Sequence, residues 1–350
     1  MDKMPSTAPV NEKADDADDI AALTICRRIV VIIPTFNEEA CIEKCLTCLM
    51  DKTSVAQFIV MDGGSQDGTC AIVERLALSR PNLSLHHNPR RNQAAATNNG
   101  LNHADPTRDI LIRCDAHAHY PEGYVTNVAL RLIETGADSL TVPMDAAPAP
   151  DGGAFAKANA WAVDTLLGAG GSPHRGGRVS GFVDHGHHAG FWRARFEGLG
   201  GYNENIVPNE DAEYDTRLRA DGGKVWLAAD LRITYFPRAS FKALWSQYFG
   251  YGVGRARHHI SQKAPLAKRQ IIPIAHIISL TLSAGLCPFT WVGWAYPLLY
   301  GSVLLAATIG AIVKHRSAAA LLVPLALFGM HSSWGLGFLT GCFTFKKGSK

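Results

Sequence analysis

The chain has 350 residues and a formal net charge of +3. This length fits one large domain or two smaller ones, and so small a charge argues against a nucleic-acid-binding protein. The eight cysteines show neither metal-ligand spacing nor a paired pattern, which predicts free thiols in a reducing cytoplasm. Cys41, Cys45 and Cys48 recur at helical spacing and are expected to face a core.

The N-terminal residues 1–26 are acidic and contain no apolar run that could serve as a signal peptide or membrane anchor. We expect a disordered tail here. Beyond the tail, apolar runs alternate with amphipathic stretches. This alternation predicts an α/β domain with a parallel, doubly wound sheet. Strands are predicted at 29–33, 58–61, 83–85, 110–114 and 139–142, and helices at 40–50, 69–78, 93–102 and 122–134.

Polar side chains follow three of these strands, beginning at Thr35, Asp62 and Asp115. Open α/β sheets bind ligands at the carboxyl edge of their strands, so these side chains are expected to form one site. The carboxylate of Asp115 and the imidazole of His117 suit Mn²⁺, which predicts metal-assisted chemistry on a phosphate-bearing substrate. The alternative is that Asp115 only caps a turn. No Gly-x-Gly-x-x-Gly follows the first strand, which argues against a dinucleotide cofactor.

The C-terminal part is apolar, and residues 271–313 contain no Asp, Glu, Lys or Arg. A single membrane crossing needs about 20 residues, so a break at Cys287-Pro288-Phe289 predicts a hairpin of two spans. A second uncharged run, residues 317–345, predicts a third segment that is either a crossing or re-entrant. Basic residues flank the hairpin and place its ends on the cytoplasmic side of a bacterial inner membrane. The alternative is a pair of buried helices in a soluble protein.

Residues 241–268, just before the first span, combine aromatic and basic side chains. This pattern favours an amphipathic segment at an anionic membrane surface. Arg255 and Arg257 are candidates to contact a lipid diphosphate.

Four motifs resemble, in order, those of family 2 glycosyltransferases: Pro34-Thr35-Phe36-Asn37-Glu38-Glu39, Asp62-Gly63-Gly64-Ser65-Gln66-Asp67-Gly68-Thr69, Asp115-Ala116-His117 and Asn209-Glu210-Asp211. The resemblance spans about residues 29–237 and is strongest to the succinoglycan-biosynthesis type of bacterial exopolysaccharide glucosyltransferase. It implies a Rossmann-like A-type glycosyltransferase (nucleotide-diphospho-sugar transferase) domain at 27–240. Transmembrane helices would follow at 269–345.

The resemblance also implies an inverting transfer of glucose or a similar sugar from a UDP-sugar to a polyprenyl-diphosphate-linked oligosaccharide. Asp211, with Glu210 beside it, would be the catalytic base. Asp115 and His117 would hold Mn²⁺ or Mg²⁺, His117 standing where most relatives have a second Asp. The donor nucleotide would contact Pro34, Thr35, Asn37, Glu39, Asp62 and Asp115. Apart from the resemblance, His187 or His188 is a candidate third metal ligand or acceptor contact, and the alternative is that both are exposed or satisfied in the core.

The Gln-x-x-Arg-Trp motif of processive family members is absent, which favours single transfer over polymer synthesis. The alternatives are a processive polysaccharide synthase, a polyprenyl-phosphate glycosyltransferase and an inert nucleotide-sugar-binding subunit. Expected partners are inner-membrane lipids and other exopolysaccharide assembly proteins, without nucleic acid.

Overall fold

The computed structural model describes residues 23–50, 55–149, 152–171, 178–206, 208–263 and 265–345. Most of the expected N-terminal tail, 1–22, and the terminal Lys346 and Lys347 lie outside these ranges. Residues 23–26 form a helical turn in which Cys26 is buried.

Eleven strands are found in the described part of the chain. Their bounds are β1 (Ile29–Thr35), β2 (Gln57–Asp62), β3 (Leu83–His87), β4 (Ile110–Arg113), β5 (Ala118–His119), β6 (Ser139–Val142), β7 (Met144–Ala146), β8 (Gly181–Val183), β9 (His187–Trp192), β10 (Val225–Leu227) and β11 (Ile233–Tyr235). Eight of them form one sheet in the order β3-β2-β1-β4-β9-β6-β10-β8, and a small second sheet has the order β5-β11-β7.

The large sheet is mixed, which corrects the prediction of a parallel one. Strands β1 to β4 are parallel, but β9 runs antiparallel between β4 and β6, and β8 is antiparallel at the edge. The segment His187-His188-Ala189-Gly190 of β9 lacks the β-branched run that marks the other central strands. A Cβ at Gly190 would lie 2.7 Å from Cγ1 of Val128, so a glycine lets the neighbouring helix pack closely.

The helices are α1 (Ile42–Leu49), α2 (Thr69–Ala77), α3 (Gln93–Gly100), α4 (Tyr124–Thr135), α5 (Ala154–Val163), α6 (Leu166–Ala169), α7 (Arg193–Gly198), α8 (Glu210–Ala220), α9 (Phe241–Gln262), α10 (Lys268–Leu286), α11 (Ala295–His315) and α12 (Val323–Thr344). Short 3₁₀ helices lie at Leu101–His103, Trp291–Trp294 and Ala318–Leu322.

The sheet is covered on both faces, as the unbroken apolar sequence of β1 requires. Val31 and Ile33 point into one core with α1 and α4, whereas Val30 and Ile32 point into the other with α3 and α8. All four side chains are fully buried, and burial of such a side chain stabilises the fold by about 1.5–3 kcal/mol. This packing fixes the carboxyl end of β1, where the site lies.

Three segments are long and apolar enough to cross a membrane: Lys268–Leu286, Trp291–His315 and Ala318–Thr344. Only 11% and 6% of the first two lie buried within the protein, but 56% of the third does. Helices α10 and α11 thus expose apolar faces, as helices suited to lipid do. All eight cysteines are free, as predicted, and of the three at helical spacing only Cys45 is fully buried.

Helix α12 instead packs along α9 and against the catalytic domain. A Cβ at Gly252 would lie 2.2 Å from the Trp334 carbonyl oxygen, and one at Gly337 would lie 2.1 Å from that of Phe249. His331 Nε2 also lies 2.9 Å from the Leu167 carbonyl oxygen of α6. Helix α12 therefore contacts both α9 and α6 and holds them in place relative to each other.

Candidate active site

The ends of β1 and β2 are joined at Thr35 and Asp62, which pair in register, and Gly63 N donates to the Thr35 carbonyl at 2.8 Å. Asp62 Oδ2 accepts from the backbone N–H groups of Gly64 and Ser65 at 2.8 and 2.9 Å, while the Ser65 hydroxyl donates to Oδ1. Burial raises the pKa of Asp62, but these hydrogen bonds outweigh burial and lower it. Asp62 is therefore an ionised carboxylate that shapes the turn.

Side chains of the first motif hydrogen-bond the loop that follows β1 to the loop that follows β2. Asn37 has a φ of 55°, and its Oδ1 accepts from Gln66 N at 2.9 Å. Glu39 Oε2 accepts from Gly68 N at 3.0 Å, and a Cβ at Gly68 would lie 2.6 Å from Glu39 Oε1. These contacts assign Asn37 and Glu39 to holding the loop above Pro34.

Asp115 follows β4 and is a buried, ionised carboxylate. Its Oδ1 accepts from Gln93 Nε2 at 2.8 Å and lies 3.4 Å from Arg113 Nη2. Its Oδ2 lies 3.7 Å from His187 Nε2, at the start of β9. Burial raises the pKa of Asp115, but Arg113, His187 and His117 together lower it below the ordinary value.

His117 is held by a carboxylate of the first motif. Its Nδ1 lies 2.9 Å from Glu38 Oε1. Burial lowers the pKa of His117, but Glu38 and Asp115 outweigh it and raise the pKa. An Nδ1–H donated to Glu38 leaves Nε2 as the nitrogen that can bind a ligand, the usual arrangement for a metal-bound histidine.

Arg113, the last residue of β4, connects the two acidic motifs. Its Nη2 faces Asp115 Oδ1, and its Nη1 lies 3.4 Å from both Glu210 Oε1 and the Tyr202 hydroxyl. The residue is only 6% exposed. A buried guanidinium needs such carboxylates around it, so Arg113 sets the spacing between the end of β4 and the start of α8.

Glu210 and Asp211 open helix α8 but have different surroundings. Glu210 is buried, and burial raises its pKa despite the nearby Arg113. Asp211 is partly exposed. Burial opposes its ionisation, but His185, His188 and Arg113 prevail and lower its pKa. The N-terminal end of a helix also favours a carboxylate, so Asp211 is the ionised and accessible member of the pair.

A chain of hydrogen bonds runs behind Asp211. Asp215 has a lowered pKa, because His188 and His185 overcome its burial. As an ionised acceptor it receives bonds from His188 Nε2 at 2.9 Å and His185 Nδ1 at 2.8 Å. The second nitrogen of His188, Nδ1, lies 2.7 Å from the Tyr202 hydroxyl. His188 is therefore enclosed and engaged at both nitrogens.

The sequence model of the family "Glycosyl transferase family 2" matches residues 30–197 of the chain. Succinoglycan biosynthesis protein ExoA of Rhizobium meliloti (strain 1021) is 35% identical over 322 residues, which cover 91% of this chain and 96% of that protein. The chain belongs to glycosyltransferase family 2. The resemblance seen in the four motifs is thereby confirmed.

Two further relatives of this glycosyltransferase extend the comparison. A dolichyl N-acetyl-alpha-D-glucosaminyl phosphate 3-beta-D-2,3-diacetamido-2,3-dideoxy-beta-D-glucuronosyltransferase of Methanococcus voltae is 25% identical over 89% of this chain and 96% of its own. The solved mannosyltransferase PcManGT from Pyrobaculum calidifontis, in complex with GDP-Man and Mn²⁺, has a TM-score of 0.52 at 19% identity. It covers 95% of this chain and 98% of its own, and confirms the A-type glycosyltransferase fold.

The fold of this glycosyltransferase brings most of the predicted site residues to one edge of the sheet. Arg113 links Asp115 to Glu210, and His187 faces Asp115. His188 lies in the interior behind them. Arg255 and Arg257 lie on α9, which packs against the loop before α8.

Sequence reasoning missed several residues of this site. They are Glu38, Gln93, Arg113, His185 and Asp215. Arg113 carried a detectable signal, because a charged side chain stands inside an otherwise apolar strand directly before Asp115. Glu38 stands inside the first motif, but its contact with His117 is visible only in the fold, as are the contacts of Gln93, His185 and Asp215.

The donor atoms present suit a divalent ion shared with a substrate. Within the described ranges, no group of three His, Cys, Asp or Glu side chains could hold a metal ion by itself. Asp115 offers an ionised oxygen, and His117, with Glu38 on its other nitrogen, offers Nε2. This pair fits Mn²⁺ better than Mg²⁺, and phosphate oxygens would have to complete the coordination.

Proposed function

We propose that this glycosyltransferase is an inverting, metal-dependent hexosyltransferase of bacterial exopolysaccharide biosynthesis. It would move a sugar, with glucose the first candidate, from a UDP-sugar to a polyprenyl-diphosphate-linked oligosaccharide. The single observation that carries the proposal is Arg113, which joins the metal-suited Asp115 to the Glu210-Asp211 pair. Diphosphate binding and proton removal would then lie on the two sides of one buried guanidinium.

The donor would lie along the ends of β1, β2 and β4. Asp62 presents an ionised carboxylate that can accept a hydrogen bond from a base N–H or ribose hydroxyl. Pro34 and Thr35 form the floor of this nucleotide position. Asp115 and His117 would hold Mn²⁺ or Mg²⁺, which when bound supplies Lewis-acid neutralisation of the departing diphosphate.

The acceptor would approach Asp211. An ionised carboxylate within hydrogen-bond reach of a sugar hydroxyl can take its proton as the hydroxyl attacks the anomeric carbon from the face opposite the diphosphate. The lowered pKa keeps Asp211 in this basic form. Glu210, buried against Arg113, would position the start of α8 rather than take the proton. His187 remains the acceptor-side candidate, since His188 is enclosed.

The names of the relatives support this choice of substrates. ExoA belongs to succinoglycan biosynthesis, and the Methanococcus relative acts on a sugar carried by dolichyl phosphate. PcManGT was solved with a nucleotide sugar and Mn²⁺. We further propose an inner-membrane location with the catalytic domain facing the cytoplasm, since basic residues flank the α10–α11 hairpin.

The test is incubation of the purified full-length protein with a panel of UDP-sugars, membrane lipid extract and Mn²⁺ or Mg²⁺. We expect transfer of one sugar to a lipid-linked product, abolished by a chelator. Asp211→Asn should retain donor binding and lower transfer by about 10²–10⁴-fold, the contribution of a general base. Unchanged turnover in Asp211→Asn would end its assignment as the base.

The same assay separates the alternatives. A ladder of long products would indicate a processive synthase, and labelling of free polyprenyl phosphate would indicate a transferase that acts directly on the carrier. Donor binding without transfer or UDP release, under every acceptor condition, would indicate an inert subunit. Any of these outcomes overturns the proposed single addition to a diphosphate-linked saccharide.

A further inference from the structure

Two arginines lie where α9 meets the first apolar helix, and Arg255 Nη2 donates to the carbonyl of Pro265, four residues before Arg269. Arg255 is on α9 and Arg269 is in the first turn of α10. Burial, followed by the charge of Arg269, lowers the pKa of Arg255. Within the part of the chain that the structure describes, neither arginine forms an ion pair with an acidic side chain. Two like charges held together without a carboxylate leave an anion to be supplied from outside.

Arg255 is fixed by its protein contacts. Its Nη1 lies 3.0 Å from His258 Nδ1, and its Nη2 donates to the Pro265 carbonyl at 2.8 Å. Its Nε is buried and has no hydrogen-bond partner among the described residues. The planar guanidinium is thus held in one orientation, and its fork of N–H groups matches phosphate oxygens.

The arginine pair lies beside the loop that carries the candidate base. A Cβ at Gly254 would lie 2.1 Å from the Pro208 carbonyl oxygen, so α9 touches this loop with no space between them. Asn209 Nδ2 also donates to the Tyr251 carbonyl at 3.1 Å. Arg255 follows Gly254 directly, which places it next to the start of α8.

Arg269 approaches the same place from the other side. A Cβ at Gly170 would lie 3.0 Å from Cβ of Arg269, so its stem lies against the end of α6. Arg269 is therefore held against the end of α6, at the junction of α10 with the catalytic domain.

The position also suits an amphiphile. Arg269 begins Lys268–Leu286, which is apolar enough to cross a membrane and mostly exposed. A headgroup bound at the arginines would have the apolar face of α10 on one side and Asp211 on the other. An anionic lipid that carries a sugar beyond its headgroup has this shape.

We propose that Arg255 and Arg269 together bind the diphosphate of the lipid-linked acceptor and so present its terminal sugar to Asp211. This site rests on the proposed function. Arg257 is not part of it, because residues two apart on a helix point about 200° away from each other. The expectation from sequence paired Arg255 with Arg257, whereas the structure pairs Arg255 with Arg269.

The test measures binding of undecaprenyl diphosphate and of UDP separately, with the full-length protein in nanodiscs. The test variants are Arg255→Gln, Arg269→Gln and the double variant. Arg257→Gln and Lys268→Gln are matched controls, since each removes one charge from the same helix. We expect each test variant to weaken undecaprenyl diphosphate binding by about ten- to a hundredfold, the worth of charged hydrogen bonds. UDP affinity should stay within about twofold.

Loss of UDP binding with lipid binding retained would assign the arginines to the donor diphosphate and overturn the proposal. Equal losses in Arg257→Gln would reduce the effect to general surface charge and also overturn it, as would failure of the unmodified protein to bind the lipid. Arg255→Lys and Arg269→Lys, which keep the charge and lose the fork, should retain folding and show an intermediate loss. Because binding needs no turnover, this test succeeds or fails independently of the sugar-transfer assay.

Discussion

The most informative perturbation is the removal of the buried guanidinium of Arg113. We expect Arg113→Met to lower the free energy of unfolding by about 3–5 kcal/mol, the cost of leaving a buried ion pair without one partner. Two features keep the loss toward the lower figure. Glu210 already has a raised pKa and can become protonated, while Asp115 keeps its hydrogen bond from Gln93. The lost cation–π contact with Tyr202, at 5.6 Å from the ring centroid, acts in the opposite direction.

The assay is thermal unfolding of the full-length protein, followed by tryptophan fluorescence in one detergent. A loss of 1 kcal/mol shifts the midpoint by about 2–4 °C in a domain of this size, so a fall of roughly 6–20 °C is expected. Arg75→Met is the control, because Arg75 and Glu43 form a pair with side chains 57% and 50% exposed. An exposed pair is worth only about 0–1 kcal/mol.

Equal shifts in the two variants would refute the view that Arg113 holds the acidic motifs together. A second check is the double variant Arg113→Met with Glu210→Gln. Since the two side chains interact, its loss should be smaller than the sum of the two single losses.

Three further predictions concern the surroundings of the site. Gly254→Ala should lower the thermal midpoint and transfer rate, because the new Cβ meets a backbone carbonyl at 2.1 Å, whereas Gly310→Ala, with open space around it, should do neither. Asp215 has a lowered pKa, so its stabilising effect is present above the ordinary value of 3.8 and is lost as the pH falls below that value. The unfolding midpoint of Asp215→Asn should therefore depend less on pH below 3.8 than that of the unmodified protein. An unchanged dependence of the midpoint on pH would contradict the assignment. With α12 held against α9, an impermeant maleimide should label Cys342 from the side of the membrane that carries the catalytic domain, and Cys287 from the opposite side. Labelling of both cysteines from one side would exclude a hairpin that crosses the membrane while α12 stays with the catalytic domain.

The central strands could be predicted because buried strands are rich in apolar residues, and this composition is visible in the sequence. Strands β1 to β4 and β6 begin and end within two residues of the prediction, and in β1 and β2 the reason is that a parallel strand covered on both faces needs an apolar run. Strand β9 could not be predicted in this way. Its small and imidazole side chains are selected by close packing on α4 and by contacts with Asp115 and Asp215, which depend on the folded sheet.

The site residues also divide into those that the sequence predicts and those that it does not. Asp115 and Asp211 stand at turns that the motifs identify, but the residues that hold them come from distant parts of the chain. Arg113 and Glu210 are 97 positions apart, and His117 and Glu38 are 79 apart. Glu38 and Glu210 stand inside the motifs, but neither motif shows that Glu38 meets His117 or that Glu210 meets Arg113, because tertiary packing brings each pair together.

Helix α12 shows why apolar composition alone cannot decide what covers a helix. A helix that is apolar all round must be buried, but lipid and protein satisfy that requirement equally well. The two cases differ in where small residues lie. Gly252, Gly337 and Gly341 let α9 and α12 approach to backbone contact, and lipid would not require this. The contact between α12 and α9 therefore holds α9, and with it Arg255, against the loop before Asp211.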